Sequence, residues 1–116
     1  MATLSKVKLS DSTSGRGVLV VATATPGTDI HTAVAGSSDI DEIWLWASNF
    51  DTTAITLTLE WGDVTSPNDL FESVIQPNET VLVAPGWILN GGLDVAAFAS
   101  VASKISVIGY VNRITD

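Results

Sequence analysis

One stretch near the middle of the chain, AITLTLEW at residues 54–61, constrains the fold more than any other feature. Its apolar side chains fall at every second position: Ile55, Leu57, Leu59 and Trp61. Successive side chains of a β-strand point to opposite faces, so these four share one face and threonines and a glutamate occupy the other. The pattern predicts a strand with one face in a hydrophobic core, and it places Trp61 in that core.

The preceding stretch, IDEIWLWAS at residues 40–48, alternates in the same way. Ile43 and Leu45 share one face of this strand. Trp44 and Trp46 share the other. A short polar turn joins the two strands, so we expect them to be hairpin partners within one sheet. Aliphatic faces of one sheet go into the core together, which leaves the two tryptophans on the outside.

Similar segments recur from residue 17 to the end, and none shows apolar residues at helical spacing. The predicted strands are residues 17–23, 28–34, 40–48, 54–61, 70–76, 79–84, 93–99 and 104–113. Glycine, proline and asparagine mark turns between them, including one at Pro85-Gly86. The spacing predicts an all-β protein with a single antiparallel β-sandwich of about eight strands, either jelly-roll-like or immunoglobulin-like.

The chain of 116 residues suits one domain, and its charge is unevenly distributed. Its first sixteen residues hold three cations and one acid, a net charge of +2, whereas residues 17–116 carry −10, which together give −8. We therefore expect an N-terminal arm, residues 1–16, before a sandwich domain, residues 17–116. The arm is either a solvated terminus or a segment that docks on a neighbouring subunit or partner. Its cations are Lys6, Lys8 and Arg16.

Catalytic and metal-binding motifs do not emerge from the sequence. The chain has one histidine, His31, and no cysteine, which disfavours a zinc site, and it has neither a GxSxG nor a phosphate-loop motif. Carboxylates in the stretches 39–42 and 63–69 lack the spacing of a calcium loop. We predict a protein that is not an enzyme and has no cofactor. The net charge of −8 disfavours direct nucleic-acid binding, and no apolar stretch is long enough to span a membrane.

The outward phase of Trp44 and Trp46 predicts an exposed apolar surface, which usually marks an interaction site. The last strand adds Ile108 and Tyr110 to the same type of face. These four residues, with the three cations of the arm, are the candidate protein-interface residues. Alternatively, the arm or a long loop covers the tryptophans, or the sheet is buried on both faces.

Several phrases of the sequence resemble a known class of protein. They are DEIWLWASNFDTTAITLTLEWG, a loop containing SPNDL, a strand ending in VLVAPG, and a closing IGYVNRI. Over about residues 29–114 the chain resembles small virion proteins of tailed bacteriophages, of the capsid decoration or cement type. The arm is the least matched part.

The resemblance implies a protein that is made in the host cytoplasm and then binds the outer surface of the capsid in the virion. Its partners would be the major capsid protein and copies of itself, often as trimers, without nucleic acid or membrane. A carbohydrate or host-surface binding module on a phage fibre is the alternative, because exposed tryptophans on a β-sandwich can stack on sugar rings. A small hydrolase built around His31 or paired carboxylates is a third hypothesis.

Overall fold

Nine β-strands make up the regular structure of residues 2–116, the part of the chain that the computed structural model describes. They are β1 (Thr3–Lys8), β2 (Val18–Val20), β3 (Thr28–Thr32), β4 (Ile40–Asn49), β5 (Ile55–Trp61), β6 (Leu70–Ile75), β7 (Thr80–Leu89), β8 (Asp94–Ala99) and β9 (Ile105–Thr115). No helix in these residues is long and apolar enough to cross a membrane.

The strands form two antiparallel sheets that pack against each other. The five-stranded sheet has the order β1-β9-β4-β7, with β2 pairing with β9 beside the end of β1, and the four-stranded sheet has the order β3-β8-β5-β6. The prediction of an all-β, antiparallel β-sandwich is confirmed. The choice between a jelly-roll-like and an immunoglobulin-like sandwich stays a prediction at this point.

The hydrophobic core lies between the sheets and is built from the alternating apolar positions. Ile43 and Leu45 from β4 and Leu57 from β5 are fully buried, as is Val107 from β9. The phase predicted for β4 is therefore correct, and its tryptophans point away from the core. Burying a large aliphatic side chain stabilises the fold by about 1.5–3 kcal/mol, so this shared core is the main source of stability.

The predicted hairpin between β4 and β5 is wrong, because these strands belong to different sheets and face each other across the core. The turn after β4 crosses from one sheet to the other. The buried side chain of Asn49 fixes this crossing, since its amide donates to the carbonyl oxygens of Thr53 and Ile75 at 3.0 and 2.9 Å. The outer face of β4 and the outer face of β5 consequently lie on opposite sides of the molecule.

The turn predicted at Pro85-Gly86 is also wrong, because both residues lie within β7. The register between β4 and β7 shifts between Ile43 and Trp44, which leaves Gly86 as an extra residue on β7. Such a β-bulge tolerates proline and a positive φ, here +75° at Gly86, at the edge of a sheet.

Residues 3–8 of the predicted arm form β1, which pairs with β9 from Thr3↔Thr115 to Lys8↔Tyr110. Its side chains are exposed except for a half-buried Val7, and the first core residue of the chain is Leu9, 2% exposed. The cationic segment is thus joined to the five-stranded sheet mainly by backbone pairing.

Candidate protein interface

Three aromatic rings lie together on the outer face of the five-stranded sheet. Trp44 and Trp46 come from β4, and Tyr110 lies opposite Trp44 on β9. Their centroids are 6.1–6.5 Å apart in all three pairs, and their planes differ by 15–27°. The rings are therefore near-parallel and form a small aromatic cluster in which every side chain is half-buried.

Two glycines in neighbouring strands make room for this cluster. A Cβ at Gly86 would lie 2.9 Å from the Trp44 ring, so the ring rests directly over the β7 bulge. A Cβ at Gly109 would lie 1.9 Å from the carbonyl oxygen of Trp44, so β9 and β4 can approach each other this closely only with glycine there. The position of Trp44 thus depends on backbone features of both neighbouring strands.

Polar groups at one end of the cluster fix the ring orientation. Glu42 Oε1 accepts a hydrogen bond from Trp44 Nε1 at 2.7 Å and another from Asn112 Nδ2 at 3.0 Å. These hydrogen bonds hold the pKa of Glu42 below its usual range, because they favour the ionised carboxylate. The ammonium of Lys6 lies 4.6 Å from the centre of the Tyr110 ring, a cation–π contact.

Exposed aliphatic side chains surround the aromatic cluster on the same side of the sheet. Each is at least 44% exposed: Leu4, Leu19, Leu82, Ile88 and Ile108. Leu82 and Ile108 pair with Trp46, and Ile88 pairs with Glu42, which places them on the outer face. Leu4 and Leu19 pair with Ile114 and Ser106, which alternate in phase with Ile108 and Tyr110 along β9. We call this surface, the three aromatic rings with the five aliphatic side chains, the aromatic face.

The candidate residues predicted from the sequence are largely brought together. Ile108 pairs with Trp46, and Lys8 pairs with Tyr110, so both border the aromatic cluster. Arg16 lies apart, exposed in the turn between β1 and β2. The outer face is neither covered by the arm nor buried against another layer within residues 2–116, because its five aliphatic side chains remain exposed.

The alternation predicts Trp61 in the core, whereas its side chain is half-buried and packs against the core from the end of β5. Its half-buried ring lies at the flank of the sandwich and contacts Trp87 edge-on, with centroids 5.4 Å apart, and its Nε1 donates to the Ile88 carbonyl oxygen at 3.1 Å. With Phe71, these rings line a cavity of about 370 Å³ between the edge strands β6 and β7. Sequence reasoning missed Phe71 and Trp87; their inward phase at sheet edges is the signal that identifies them.

His31 is buried and cannot meet a substrate, being 1% exposed. Its Nδ1 accepts the Ser10 backbone N–H at 3.0 Å, so Nε2 carries the proton and donates to Asp41 at 2.8 Å. Arg113 binds the same carboxylate through two nitrogens at 2.8 and 2.9 Å. Burial raises the pKa of Asp41, but the hydrogen bonds from Arg113 and His31 outweigh it and lower that pKa.

A shallow acidic groove of about 190 Å³ lies on the four-stranded sheet, lined in part by Asp29, Glu60, Asp63 and Asp94. Glu60 is engaged there, because it accepts hydrogen bonds from the Thr25 hydroxyl and the Gly27 backbone. Within residues 2–116 no group of three or more histidines and carboxylates is arranged to hold a metal ion.

The aromatic face can make apolar contacts, ring stacking and a small number of hydrogen bonds. The carboxylate beside it, Glu42, is already engaged by Trp44 and Asn112. This composition is typical of a surface that recognises another molecule by shape and burial of apolar area. Comparisons of the chain with protein-family models, with curated proteins and with solved structures found no match.

Proposed function

We propose that this chain is a non-enzymatic structural protein of a bacteriophage virion, which decorates and stabilises the capsid by binding the major capsid protein. The observation that carries the proposal is the aromatic face: three clustered, half-buried rings and five exposed aliphatic side chains on one side of a sheet. Contiguous exposed apolar area is costly in water unless a partner covers it. Tryptophan and tyrosine are also the side chains most enriched at binding hot spots.

The dimensions of the face suit a protein partner. Four neighbouring strands, spaced about 4.8 Å apart and about 30 Å long, give the outer surface of the sheet an area of roughly 600 Å². A stable interface buries about 800 Å² on each partner, so this surface, with the aromatic face as its apolar part, is close to the size of one side. Many identical sites on an icosahedral shell would multiply a modest affinity at each one.

The strand order supports the jelly-roll-like alternative for this proposal. Of the connections from β2 to β9, only that between β5 and β6 stays within one sheet. An immunoglobulin-like sandwich keeps about half of its connections within a sheet. The resemblance of the sequence to capsid decoration proteins supports the same function from independent features, since it rests on phrases of the sequence and not on strand order.

The proposal is tested with phage heads assembled with and without the chain. We expect heads that carry it to withstand heat and low salt better than heads that lack it. The variant Trp46→Ser should be lost from heads during sedimentation. Val74→Ser, a change at a 61% exposed apolar residue of the other sheet, should remain bound and serves as the control. Equal survival of heads with and without the chain would exclude a cement role.

A carbohydrate or host-surface binding module on a phage fibre is the second candidate. It is favoured by the near-parallel rings of Trp44, Trp46 and Tyr110 beside the polar groups of Glu42 and Asn112. Rings in this arrangement offer flat apolar surfaces to a sugar ring. A glycan array probed with the protein and with Trp46→Ser tests this function. Loss of glycan binding in Trp46→Ser, together with unchanged binding of this variant to phage heads, would favour the second candidate.

A further inference from the structure

The two outer faces of the sandwich differ in charge. The strands of the four-stranded sheet contain no lysine or arginine, and their four carboxylates all have outward phase: Asp29, Glu60, Glu72 and Asp94. Of these, Glu60 is covered by the Thr25–Gly27 segment. The strands of the five-stranded sheet contain only two carboxylates. Of these, Asp41 is buried and paired with Arg113, and Glu42 is hydrogen-bonded on the aromatic face. One side of the molecule is acidic, whereas the other is apolar with little negative charge.

Two lysines of β1 border the aromatic face without a counter-charge. Lys6 and Lys8 are exposed, and within residues 2–116 no carboxylate oxygen lies within 4.0 Å of either ammonium group. Lys6 contacts the Tyr110 ring, and Lys8 pairs in register with the same residue. The edge formed by β1 is therefore a positive border along an apolar surface, in a chain whose net charge is −8.

Resting on the proposed function, we infer that the aromatic face recognises an apolar patch of a protein that carries carboxylates on the side facing β1. Both lysines would meet these carboxylates at the rim of the interface, where opposite charges increase association rate and fix orientation. A protein fits better than nucleic acid, because phosphates offer no apolar complement to Leu4, Ile108 and the aromatic rings. It also fits better than an anionic membrane, since only two cations border the face and the chain as a whole repels negative charge.

The same charges select one docking orientation. An acidic partner repels the four-stranded sheet of this chain and attracts only the β1 edge. Electrostatic steering therefore orients the aromatic face toward the partner. The lysines thus contribute specificity, and the aromatic face contributes most of the buried area. Raising the salt concentration should weaken the attraction of the lysines for the partner and leave the apolar contact largely unchanged.

The inference is tested by measuring binding to assembled heads at low and at physiological salt. We expect the double variant Lys6→Glu/Lys8→Glu to bind roughly tenfold more weakly at low salt, and the difference to shrink as salt is added. Lys104→Glu, at an exposed lysine in the turn before β9, is the matched control and should bind like the wild type.

The outcomes separate this inference from the function on which it rests. If Trp46→Ser abolishes binding while Lys6→Glu/Lys8→Glu binds like the wild type at every salt concentration, the acidic partner is excluded and docking through the aromatic face stands. If Trp46→Ser itself binds like the wild type, the proposed docking face fails. Binding of the wild type to vesicles of anionic lipid, abolished in the double lysine variant, would overturn the inference in favour of a membrane.

Discussion

At the scale of single residues, Leu57 and Trp46 have opposite roles although both are large apolar side chains on central strands. Leu57 is fully buried, so Leu57→Ala should lower the free energy of unfolding by about 2–5 kcal/mol. Trp46 is half-buried on the outer face, so Trp46→Ala should lower it by less and mainly weaken association. Urea denaturation of both variants measures this, and an equal loss at the two sites would contradict the assignment of faces.

The ion pair of Asp41 and Arg113 makes the stability of the protein depend on pH. The pKa of Asp41 is lowered in the folded state, since the hydrogen bonds from Arg113 and His31 outweigh the effect of burial. A carboxylate with a lowered folded pKa stabilises the protein above its unfolded pKa, about 3.9, and this stabilisation is lost as the pH falls through the folded value.

Asp41→Asn should therefore be less stable than the wild type near neutral pH, and the gap should narrow as the pH falls below about 4. Urea denaturation of both proteins across this range measures the gap, because the other carboxylates titrate in both. A gap that stays constant with pH would show that Asp41 contributes through shape and not through its charge.

The sequence predicted best which side chains of a strand point toward the core. The alternation, combined with an expected hairpin to β5, placed Ile43 and Leu45 inside and Trp44 outside; the structure agrees with these faces although the hairpin is wrong. Trp61 shows where the rule fails, because a strand end can carry an inward side chain to the flank of the core. Glu60 shows a second limit: it is outward in phase but only 3% exposed, since the Thr25–Gly27 segment binds over it.

At the scale of elements, β1 was the strand that sequence reasoning missed. Its sequence, TLSKVK, lacks an apolar alternation because its side chains contribute little to the core and its backbone pairs with β9. Such a strand leaves almost no signal in hydrophobic periodicity. Similarly, β7 was predicted to end at residue 84, because Pro85 and Gly86 in most sequences mark a turn, whereas here they form a bulge within a ten-residue strand.

The exposure of β1 leads to a prediction about deletions. Removal of residues 1–8 should leave a folded protein, in which the amides of β9 that pair with β1 exchange faster with solvent. Removal of residues 1–11 should lower the free energy of unfolding by about 2–5 kcal/mol more than removal of residues 1–8. The longer deletion removes Leu9 from the core and also removes the Ser10 backbone N–H that donates to His31. Hydrogen exchange and urea denaturation measure both effects, and similar stability of the two deletions would argue against an anchor at Leu9.

The pairing of β4 with β9 gives a further prediction. Gly109→Ala would place a methyl group against the Trp44 backbone, so the strands must separate beneath the aromatic cluster. Gly36→Ala is the control, because no atom lies within 4 Å there and only its φ of +84° is strained, at a cost of about 1–2 kcal/mol. We expect Gly109→Ala to lose more stability than this control and to change tryptophan fluorescence, whereas an unchanged spectrum would contradict the close approach.

At the scale of the whole molecule, the sequence predicted two packed sheets but not which strands belong to each sheet. A short polar turn can close a hairpin or cross between sheets, and the alternation of β4 and β5 is the same in both cases. The deciding contacts, those of the buried Asn49 side chain with Thr53 and Ile75, join residues whose proximity the sequence does not reveal. The aromatic face was therefore predictable in its central residues and not in its aliphatic surround, which comes from strands distant in the chain.

The net charge of −8, with four carboxylates on the strands of one sheet, predicts that salt stabilises the free protein. Screening shortens the range of repulsion from about 30 Å at 0.01 M salt to about 8 Å at 0.15 M. The free energy of unfolding should rise over this range, and the double variant Asp29→Asn/Glu72→Gln should show a smaller rise. A fall in stability with added salt would indicate that attractive charge pairs dominate instead.

The interruption of β7 also affects how copies of the chain can crowd together. A straight edge strand invites another chain to extend its ladder of hydrogen bonds, which leads to fibres. Pro85 lacks a backbone N–H, and the bulge at Gly86 bends the same edge, so sideways growth of the sheet is blocked beside the apolar surface. The free chain is therefore less prone to aggregate through pairing of its β7 edge with another copy.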